Sequence, residues 1–332
     1  MNHVLLLGAG FSRNWGGWLA KDVNEYLLTC REVQESGVIK DAIQRHRDGG
    51  GFEAAVAELQ ARFVQTRSDA DRRTVEQLQT AVTQMFDAMD AGFRQRQFEF
   101  QRPVYRDYTV ALFLTRFDAI FTLNQDYLLE RHYLNDNVML LSNARWPGGW
   151  QIPGMRRIPD PNRMPLDPRP EIWEPDSTLL RLELKSQPYF KLHGSSNWIR
   201  NDGGKLLVLG SEKLQQVNGQ ETLRWYMQEF ERYLSEPTKL MIIGYGYRDD
   251  YLNQILMAAA AKNMLKTFAV DPNGLSAFDQ NNLTRRPGNI YCQSNLDAAL
   301  APTLIGASNR NLSETFNQDY AEHAKLMTFF RE

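Results

Sequence analysis

HVLLLGAGFS, residues 3–12, is an apolar run that ends in a glycine-rich turn. Helical patterns separate it from further runs of the same kind, which also end in glycine or a polar residue. These runs are AIFTLN at 119–124, YFKLH at 189–193, KLMIIGYG at 239–246, KTFAVDP at 266–272 and NIYCQS at 289–294. Almost entirely apolar strands that alternate with helices are typical of a parallel sheet covered on both faces. The sequence therefore predicts a doubly wound, Rossmann-like α/β fold.

Two segments interrupt this alternation. Between 37 and 115, apolar residues repeat at helical spacing with no strand signal, which predicts an inserted all-helical subdomain. Between 143 and 187 lie eight of the fourteen prolines and three tryptophans, which predicts an ordered but irregular excursion. Residues 1–36 and 116–312 would then form the Rossmann-like domain, and 313–332 a closing helix with Ser313 as its N-cap.

Composition narrows the class of protein and its partners. The chain has 332 residues and a net charge of −2, so it lacks the basic field that gathers nucleic acid or binds anionic membranes. Its two cysteines, Cys30 and Cys292, exclude a disulfide framework and a four-cysteine zinc site within the chain. No apolar stretch approaches the ~18 residues of a membrane span, and the N-terminus has no secretory pattern. We therefore expect a cytoplasmic protein without a bound metal.

The first strand leads into a turn that suits a phosphate group. The turn consists of Gly8, Ala9, Gly10, Phe11 and Ser12. Glycines let the backbone approach a pyrophosphate, and the following helix N-terminus supplies N–H groups. The dinucleotide fingerprint G-x-G-x-x-G is incomplete, because Arg13 occupies its third glycine position. This departure disfavours a hydride-transferring dehydrogenase and leaves both a nucleotide turn and a simple tight turn open.

Four later strand ends also carry small or polar residues. They are Asn124 and Asp126 after the second strand, His193 and Gly194 after the third, Gly244 and Gly246 after the fourth, and Asp271 after the fifth. In an open parallel sheet, ligands bind at the carboxyl ends of the strands. Each residue also has a structural alternative: Asp126 could cap the next helix, and His193 could lie at the rim of the core. The recurrence at five strand ends favours a nucleotide site.

The motifs GAGFS, TLNQD, KLHGS and GYGYRDD, in this order between residues 8 and 250, resemble the sirtuin-like domain. The form is most similar to bacterial sirtuin-like proteins that hydrolyse NAD in antiphage defence. Deacylase sirtuins carry a Pro-Asp-Phe-Arg element after the first glycines, where this chain has RNWGGWLAKD. They also carry four zinc cysteines after the catalytic histidine, and this chain lacks such a set. These departures weaken a deacylase interpretation.

The resemblance implies that NAD is the substrate and that it is cleaved to nicotinamide and ADP-ribose. His193 would act as the catalytic base, and Asn124 would position the attacking water and hold the nicotinamide-side ribose. Asp126 would contact the nicotinamide end of the site. The remaining expected contacts are phosphate binding by the N–H groups of Ala9 to Ser12, close approach of the ligand at Gly194, Gly244 and Gly246, and a ribose contact from Asp271.

Two alternatives to an NAD hydrolase stay open at this point. One is an NAD-dependent protein deacylase, and the other is a non-catalytic sensor of NAD or ADP-ribose. An unrestrained NAD hydrolase would be toxic to its own cell, so we expect control by homo-oligomerisation or by an activating partner protein. The helical insertion and the excursion at 143–187 are the candidate segments for that control.

Overall fold

A computed structural model describes residues 1–47, 50–100, 108–142, 144–162, 170–210, 213–279, 295–317 and 319–331. The strands in this part of the chain are β1 Asn2–Leu7, β2 Ala119–Thr122, β3 Trp150–Gln151, β4 Met155–Arg157, β5 Trp173–Pro175, β6 Gln187–Lys191, β7 Gly194–Ile199, β8 Lys205–Leu207, β9 Thr238–Ile243, β10 Leu265–Val270 and β11 Leu304–Ser308. Its helices are α1 Ala9–Arg13, α2 Ala20–Leu27, α3 Arg31–Gln34, α4 Gly37–Arg45, α5 Gly51–Thr66, α6 Asp69–Arg94, α7 Val110–Leu114, α8 Leu128–His132, α9 Asp136–Ser142, α10 Lys213–Asn218, α11 Glu221–Leu234, α12 Asp250–Ala261, α13 Asn295–Leu300, α14 Leu312–Thr315 and α15 Tyr320–Met327.

A parallel sheet forms the centre of the fold. Among the described residues it has seven strands in the order β11-β10-β9-β1-β2-β6-β3. The central strand β1 pairs with β2 on one side and β9 on the other, and its residues Val4 to Leu7 are fully buried. Helices cover both faces, so an uninterrupted apolar run is what such a strand requires. The predicted doubly wound α/β fold is confirmed.

The strand predictions differ from the structure at both edges of the sheet, since neither the short strand β3 nor the strand at the opposite edge was predicted. The predicted strand at 289–294 lies outside the described residues. The edge strand β11, which was not predicted, comes later, and only Ser308 in it is buried. Its sequence, LIGAS, is short and contains a glycine. An edge strand has one exposed side and needs no continuous apolar pattern, so this sequence carries only a weak strand signal.

Helices occupy the segment predicted to be an all-helical insertion. Its described residues contain α4 to α7 and no strand. The longest helix, α6, begins at Ser68, whose hydroxyl accepts a hydrogen bond from the N–H of Asp71, and it buries an apolar stripe. The earlier helices α2 and α3 pack against this same bundle. The boundary at residue 37 therefore stays a prediction, since the packed bundle also includes helices that precede it.

The proline- and tryptophan-rich excursion is ordered where it is described. Its strand β3 pairs with β6 at the edge of the main sheet, as expected for a proline-rich segment that cannot supply a central strand. Its strands β4 and β5 join β7 and β8 in a second sheet, with the order β4-β5-β7-β8 in the described part of the chain. The Trp146 indole N–H donates to the Thr115 carbonyl oxygen at 2.7 Å. Tryptophans thus attach the excursion to the core.

The C-terminal prediction needs two corrections. The described residues form two short helices, α14 and α15, instead of a single helix from 313 onward. Ser313 is not an N-cap: the side chain of Asn311 accepts the capping hydrogen bond from the Glu314 N–H at 2.7 Å, and Asp319 caps α15. Asn and Asp are preferred at this position because their side-chain oxygens reach the free N–H groups of the first turn. None of the described helices is both long enough and apolar enough to cross a membrane.

Candidate active site

The five strand ends that carry the candidate residues are neighbours in the sheet. The strands β10, β9, β1, β2 and β6 lie side by side and all run in the same direction. Their carboxyl ends lead to Asp271, Gly244, Gly8, Asn124 and His193 respectively. Neighbouring strands are about 4.8 Å apart, so the row extends over about 19 Å. The structure therefore brings the predicted residues to one edge of the sheet, where ligands of such folds bind.

Glycines in this row allow two backbone segments of the protein to touch. A Cβ added to Gly8 would lie 2.5 Å from the Gly244 carbonyl oxygen, and one added to Gly10 would lie 2.6 Å from Gly244 Cα. Gly244 itself has a φ of +64°, which L side chains rarely adopt. The Gly10 N–H donates to the Gly244 oxygen at 2.9 Å. These three glycines thus have a structural reason within the protein, whereas an added Cβ at Gly246 would meet no described atom within 4 Å.

The turn after β1 uses part of its hydrogen-bonding capacity internally. The Phe11 N–H donates to the Gly8 carbonyl oxygen at 2.9 Å, and the buried Phe11 ring packs on Trp15. The N–H of Gly10 likewise donates to the Gly244 carbonyl oxygen. Gly10 and Phe11, two of the four turn residues expected to bind a phosphate, therefore use their N–H groups within the protein.

Ser12, Asn124 and Asp126 form a polar cluster at the ends of β1 and β2. The Asn124 side-chain amide donates to the Ser12 hydroxyl at 3.0 Å. Asp126 accepts a hydrogen bond from the Leu128 N–H at 3.0 Å, which closes an Asx turn into α8. Burial raises the pKa of the Asp126 carboxyl, while the Lys191 ammonium and the Ser12 hydroxyl oppose that rise. Asp126 therefore fixes the start of α8, and the pKa of its carboxyl lies above the usual value for aspartate.

His193 lies in a turn, so the predicted strand at 189–193 is too long. The strand β6 ends at Lys191, and β7 begins at Gly194, which has a φ of +73°. A Cβ at Gly194 would lie 2.0 Å from the Leu206 carbonyl oxygen, so this glycine is required by the approach of β8. The His193 carbonyl oxygen accepts hydrogen bonds from the Val208 N–H at 3.0 Å and from the Gln125 amide at 3.1 Å.

Gln125 is a site residue that the sequence motifs did not single out. Its side-chain amide nitrogen donates to the carbonyl oxygens of His193 and Val208, and its backbone carbonyl oxygen accepts from the Ser196 N–H at 3.0 Å. The side chain is buried, so these bonds are shielded from water. Hydrogen bonds from Gln125 therefore link the segment after β2 to the backbone at His193.

Asp249 is the side chain in contact with the His193 ring. His193 Nε2 lies 3.0 Å from Asp249 Oδ2, and both side chains are more than nine-tenths buried. The separation is short enough for a hydrogen bond, although the ring orientation does not meet the angular requirement for one. Burial by itself would raise the pKa of Asp249, but His193, the Leu252 N–H and Lys213 outweigh it and lower the pKa to about 2. Asp249 is thus a buried carboxylate that stays ionised.

The sequence contains a local signal for Asp249. The residue precedes α12 and caps it, with its Oδ1 accepting from the Leu252 N–H at 3.0 Å. An aspartate just before a helical pattern is an N-cap signature, and the pair Asp249-Asp250 ends the motif GYGYRDD. Nothing in the sequence shows that the second carboxylate oxygen reaches a histidine 56 residues earlier in the chain.

A buried ion pair lies beneath the polar cluster. Lys191, the last residue of β6, is fully buried, and its ammonium lies 2.6 Å from Glu130 Oε1 and also donates to the Asp126 carbonyl oxygen. Burial raises the pKa of Glu130, and the charge of Lys191 opposes that rise. The pair supports the backbone of the loop that carries Asn124 and Asp126.

Asp271 lies in the same row as His193 but at the far end of it. Its carboxylate accepts from the Asn273 N–H at 2.8 Å, and its own N–H donates to the Ser308 carbonyl oxygen at 2.9 Å. Burial raises the pKa of Asp271. Three strands stand between β10 and β6, so a ligand that touched both Asp271 and His193 would have to extend along the strand ends.

Comparison with known protein families adds one finding. A family model described as the SIR2-like domain matches residues 118–288, which is 171 of the 332 residues. The match runs from the start of β2 past the end of β10, so it includes Asn124, His193, Asp249 and Asp271. No curated protein matches the chain. In the described part of the chain, no group of three histidine, cysteine, aspartate or glutamate residues is arranged to hold a metal ion.

Proposed function

The chain belongs to the SIR2-like domain family, whose function is NAD-related, and we propose that it is an NAD hydrolase. The supporting observation is the placement of Asn124 and His193 at the carboxyl ends of two directly paired strands, β2 and β6. The resemblance assigns these two residues to the chemistry. Their places on paired strands, together with the ionised Asp249 beside His193, support a base and a polar positioning group at one site.

The proposed reaction converts NAD and water to ADP-ribose, nicotinamide and a proton. The bond between ribose C1′ and the nicotinamide nitrogen breaks through an oxocarbenium-like state, and its electron pair leaves with nicotinamide. Neutral nicotinamide is a good leaving group, so no general acid is required. The water oxygen bonds to C1′ while its proton passes to His193. Asn124, held by Ser12, orients that water and the adjacent ribose.

The other candidate residues receive binding roles. Asp126 lies near Asn124, at the end of the same strand, and its carboxyl would contact the nicotinamide end. Ala9 and Ser12 would supply N–H groups to the pyrophosphate. Asp271, at the far end of the row, would bind the adenosine ribose. Gly194 and Gly244 would contribute to NAD binding indirectly, because they allow the turns that position the neighbouring residues.

We further propose that the chain acts in antiphage defence, where its activation depletes NAD. The support is the resemblance of the four motifs, in order, to defence NAD hydrolases. Control by a second copy or by a partner protein would use the excursion, in which Leu184 is 92% exposed. Leu184→Lys tests this role: we expect altered assembly by light scattering, whereas unchanged assembly and activity would exclude Leu184 from it.

The deciding experiment incubates the protein with NAD, alone and together with an extract of phage-infected cells, and separates the products by chromatography. Nicotinamide and ADP-ribose are expected from the wild type, and neither from His193→Ala or Asn124→Ala. His46→Ala, a change of a half-exposed histidine that contacts Glu58 on the helical bundle, is the matched control. O-acyl-ADP-ribose formed only with an acyl-lysine peptide would indicate a deacylase, and binding without turnover would indicate a sensor.

A further inference from the structure

The contact between Asp249 and His193 crosses the middle of the sheet edge. Asp249 follows β9 and His193 follows β6, and the strands β1 and β2 lie between them. Three strand spacings amount to about 14 Å, yet the two side chains meet at 3.0 Å. The loop from 244 to 249 therefore passes over the ends of β1 and β2, which are the strand ends assigned to the substrate.

This loop is held by hydrogen bonds to α12 and by its buried tyrosines. Tyr247 has a φ of +52°, a strained value for a residue with a large side chain. The Asn253 amide donates to the Tyr247 carbonyl oxygen at 2.8 Å, and the Tyr245 hydroxyl donates to the Asn253 oxygen at 3.0 Å. Both tyrosines are buried. The position of Asp249 is thus set by α12 and the loop.

The two oxygens of Asp249 have separate partners. Oδ1 accepts the capping hydrogen bond from Leu252, and Oδ2 faces His193 Nε2. The His193 backbone is held from the other side by Gln125 and Val208. Rotation of the His193 ring about its χ2 torsion, which is broad for histidine, can align the N–H with Oδ2. A carboxylate next to Nε2 favours the tautomer with its proton on that nitrogen.

We infer that Asp249 is the positioning residue for His193: it keeps the ring proton on Nε2, so that Nδ1 accepts the proton from the attacking water. In that step the water O–H bond breaks, its proton bonds to Nδ1, and its oxygen bonds to ribose C1′. The resulting imidazolium is stabilised by the Asp249 carboxylate, as a buried aspartate stabilises the histidine of a catalytic triad. The catalytic part of this inference rests on the proposed function, while the tautomer is independent of it.

Asp249→Asn separates the two roles of this side chain, which are to cap α12 and to set the tautomer of His193. Asparagine caps helices as well as aspartate does, so α12 should be retained. Its amide can donate to Nε2, which favours the opposite tautomer. We expect kcat for NAD hydrolysis to fall by about 100-fold or more, with little change in KM. Asp250→Asn, the same change one residue later on the exposed side of the helix, should leave both constants unchanged. Wild-type kcat in Asp249→Asn would overturn the inference.

A measurement without substrate tests the tautomer directly. The protein is labelled with ¹⁵N-histidine, and His193→Gln identifies the His193 signals among those of the five histidines. We expect the neutral ring to carry its proton on Nε2 in the wild type and in Asp250→Asn, and to lose that preference in Asp249→Asn. A proton on Nδ1 in the wild type, or no change in Asp249→Asn, would overturn the inference. Because no NAD is added, failure of the proposed NAD hydrolysis would leave this result decisive.

Discussion

The side-chain amide of Asn124 donates to the hydroxyl of Ser12 at 3.0 Å, which links the end of β2 to the turn after β1. The two residues are 112 positions apart in the chain, and Ser12 is buried. An asparagine that has to orient a water or a ribose needs a fixed amide plane, and this bond fixes it. The serine of GAGFS thus has a role beyond its expected place in a phosphate turn.

Ser12→Ala should reduce NAD hydrolysis without unfolding the protein. Loss of one buried hydrogen bond costs about 1 kcal/mol, which corresponds to roughly 5- to 10-fold in rate if the bond acts only through Asn124. The measurement is steady-state hydrolysis, with circular dichroism as the check on folding. Ser177→Ala, at an exposed serine, is the control. Wild-type turnover in Ser12→Ala would show that the hydroxyl does not orient Asn124.

Gly244→Ala should destabilise the fold much more than Gly246→Ala. At Gly244 the added methyl group would lie 2.4 Å from the Gly10 carbonyl carbon on a backbone with positive φ, whereas at Gly246 it meets no atom of the described residues within 4 Å. We expect the free energy of unfolding to fall by at least about 2 kcal/mol for the first change, with little effect from the second. Urea unfolding measures both. Equal stability of the two variants would contradict the internal role assigned to Gly244.

Lys191→Met should destabilise the protein strongly, because it leaves the buried Glu130 carboxylate without its cation. Breaking one partner of a buried ion pair typically costs about 3–5 kcal/mol. The double change Lys191→Met with Glu130→Leu should recover most of that loss, since no buried charge remains. Denaturant unfolding of the two variants and the wild type gives the comparison. If the double variant is as unstable as the single one, the pair is needed for packing and not for charge balance.

The low pKa of Asp249 predicts a stability change in acid. Its pKa falls from 3.8 to about 2 on folding, so its contribution is complete above about pH 4 and is lost as the pH falls through 2. The shift corresponds to roughly 2 kcal/mol. The stability difference between the wild type and Asp249→Asn should therefore shrink by that amount between pH 5 and pH 2. Urea unfolding over this pH range measures it, and a constant difference would show that the Asp249 carboxylate gains nothing from His193 and Lys213.

Much of the fold could be predicted from the sequence because burial on both faces demands continuous apolar strands. That requirement identified β1, β2, β6, β9 and β10, and their motifs in order identified the SIR2-like family. The edge strand β11 and the caps of the C-terminal helices were missed. Edge strands and caps depend on a few local contacts, so they leave a weaker pattern in the sequence.

The sequence by itself determined which residues end the strands, since side-chain polarity changes where a buried strand reaches the sheet edge. Tertiary structure alone decided what those residues touch. The strand order places β1 and β2 between β9 and β6, and the loop after β9 brings Asp249 to His193 across this gap. The same packing makes Gly8, Gly10 and Gly244 necessary to each other. Such contacts join distant parts of the chain, and a linear pattern of residues contains no distances between them.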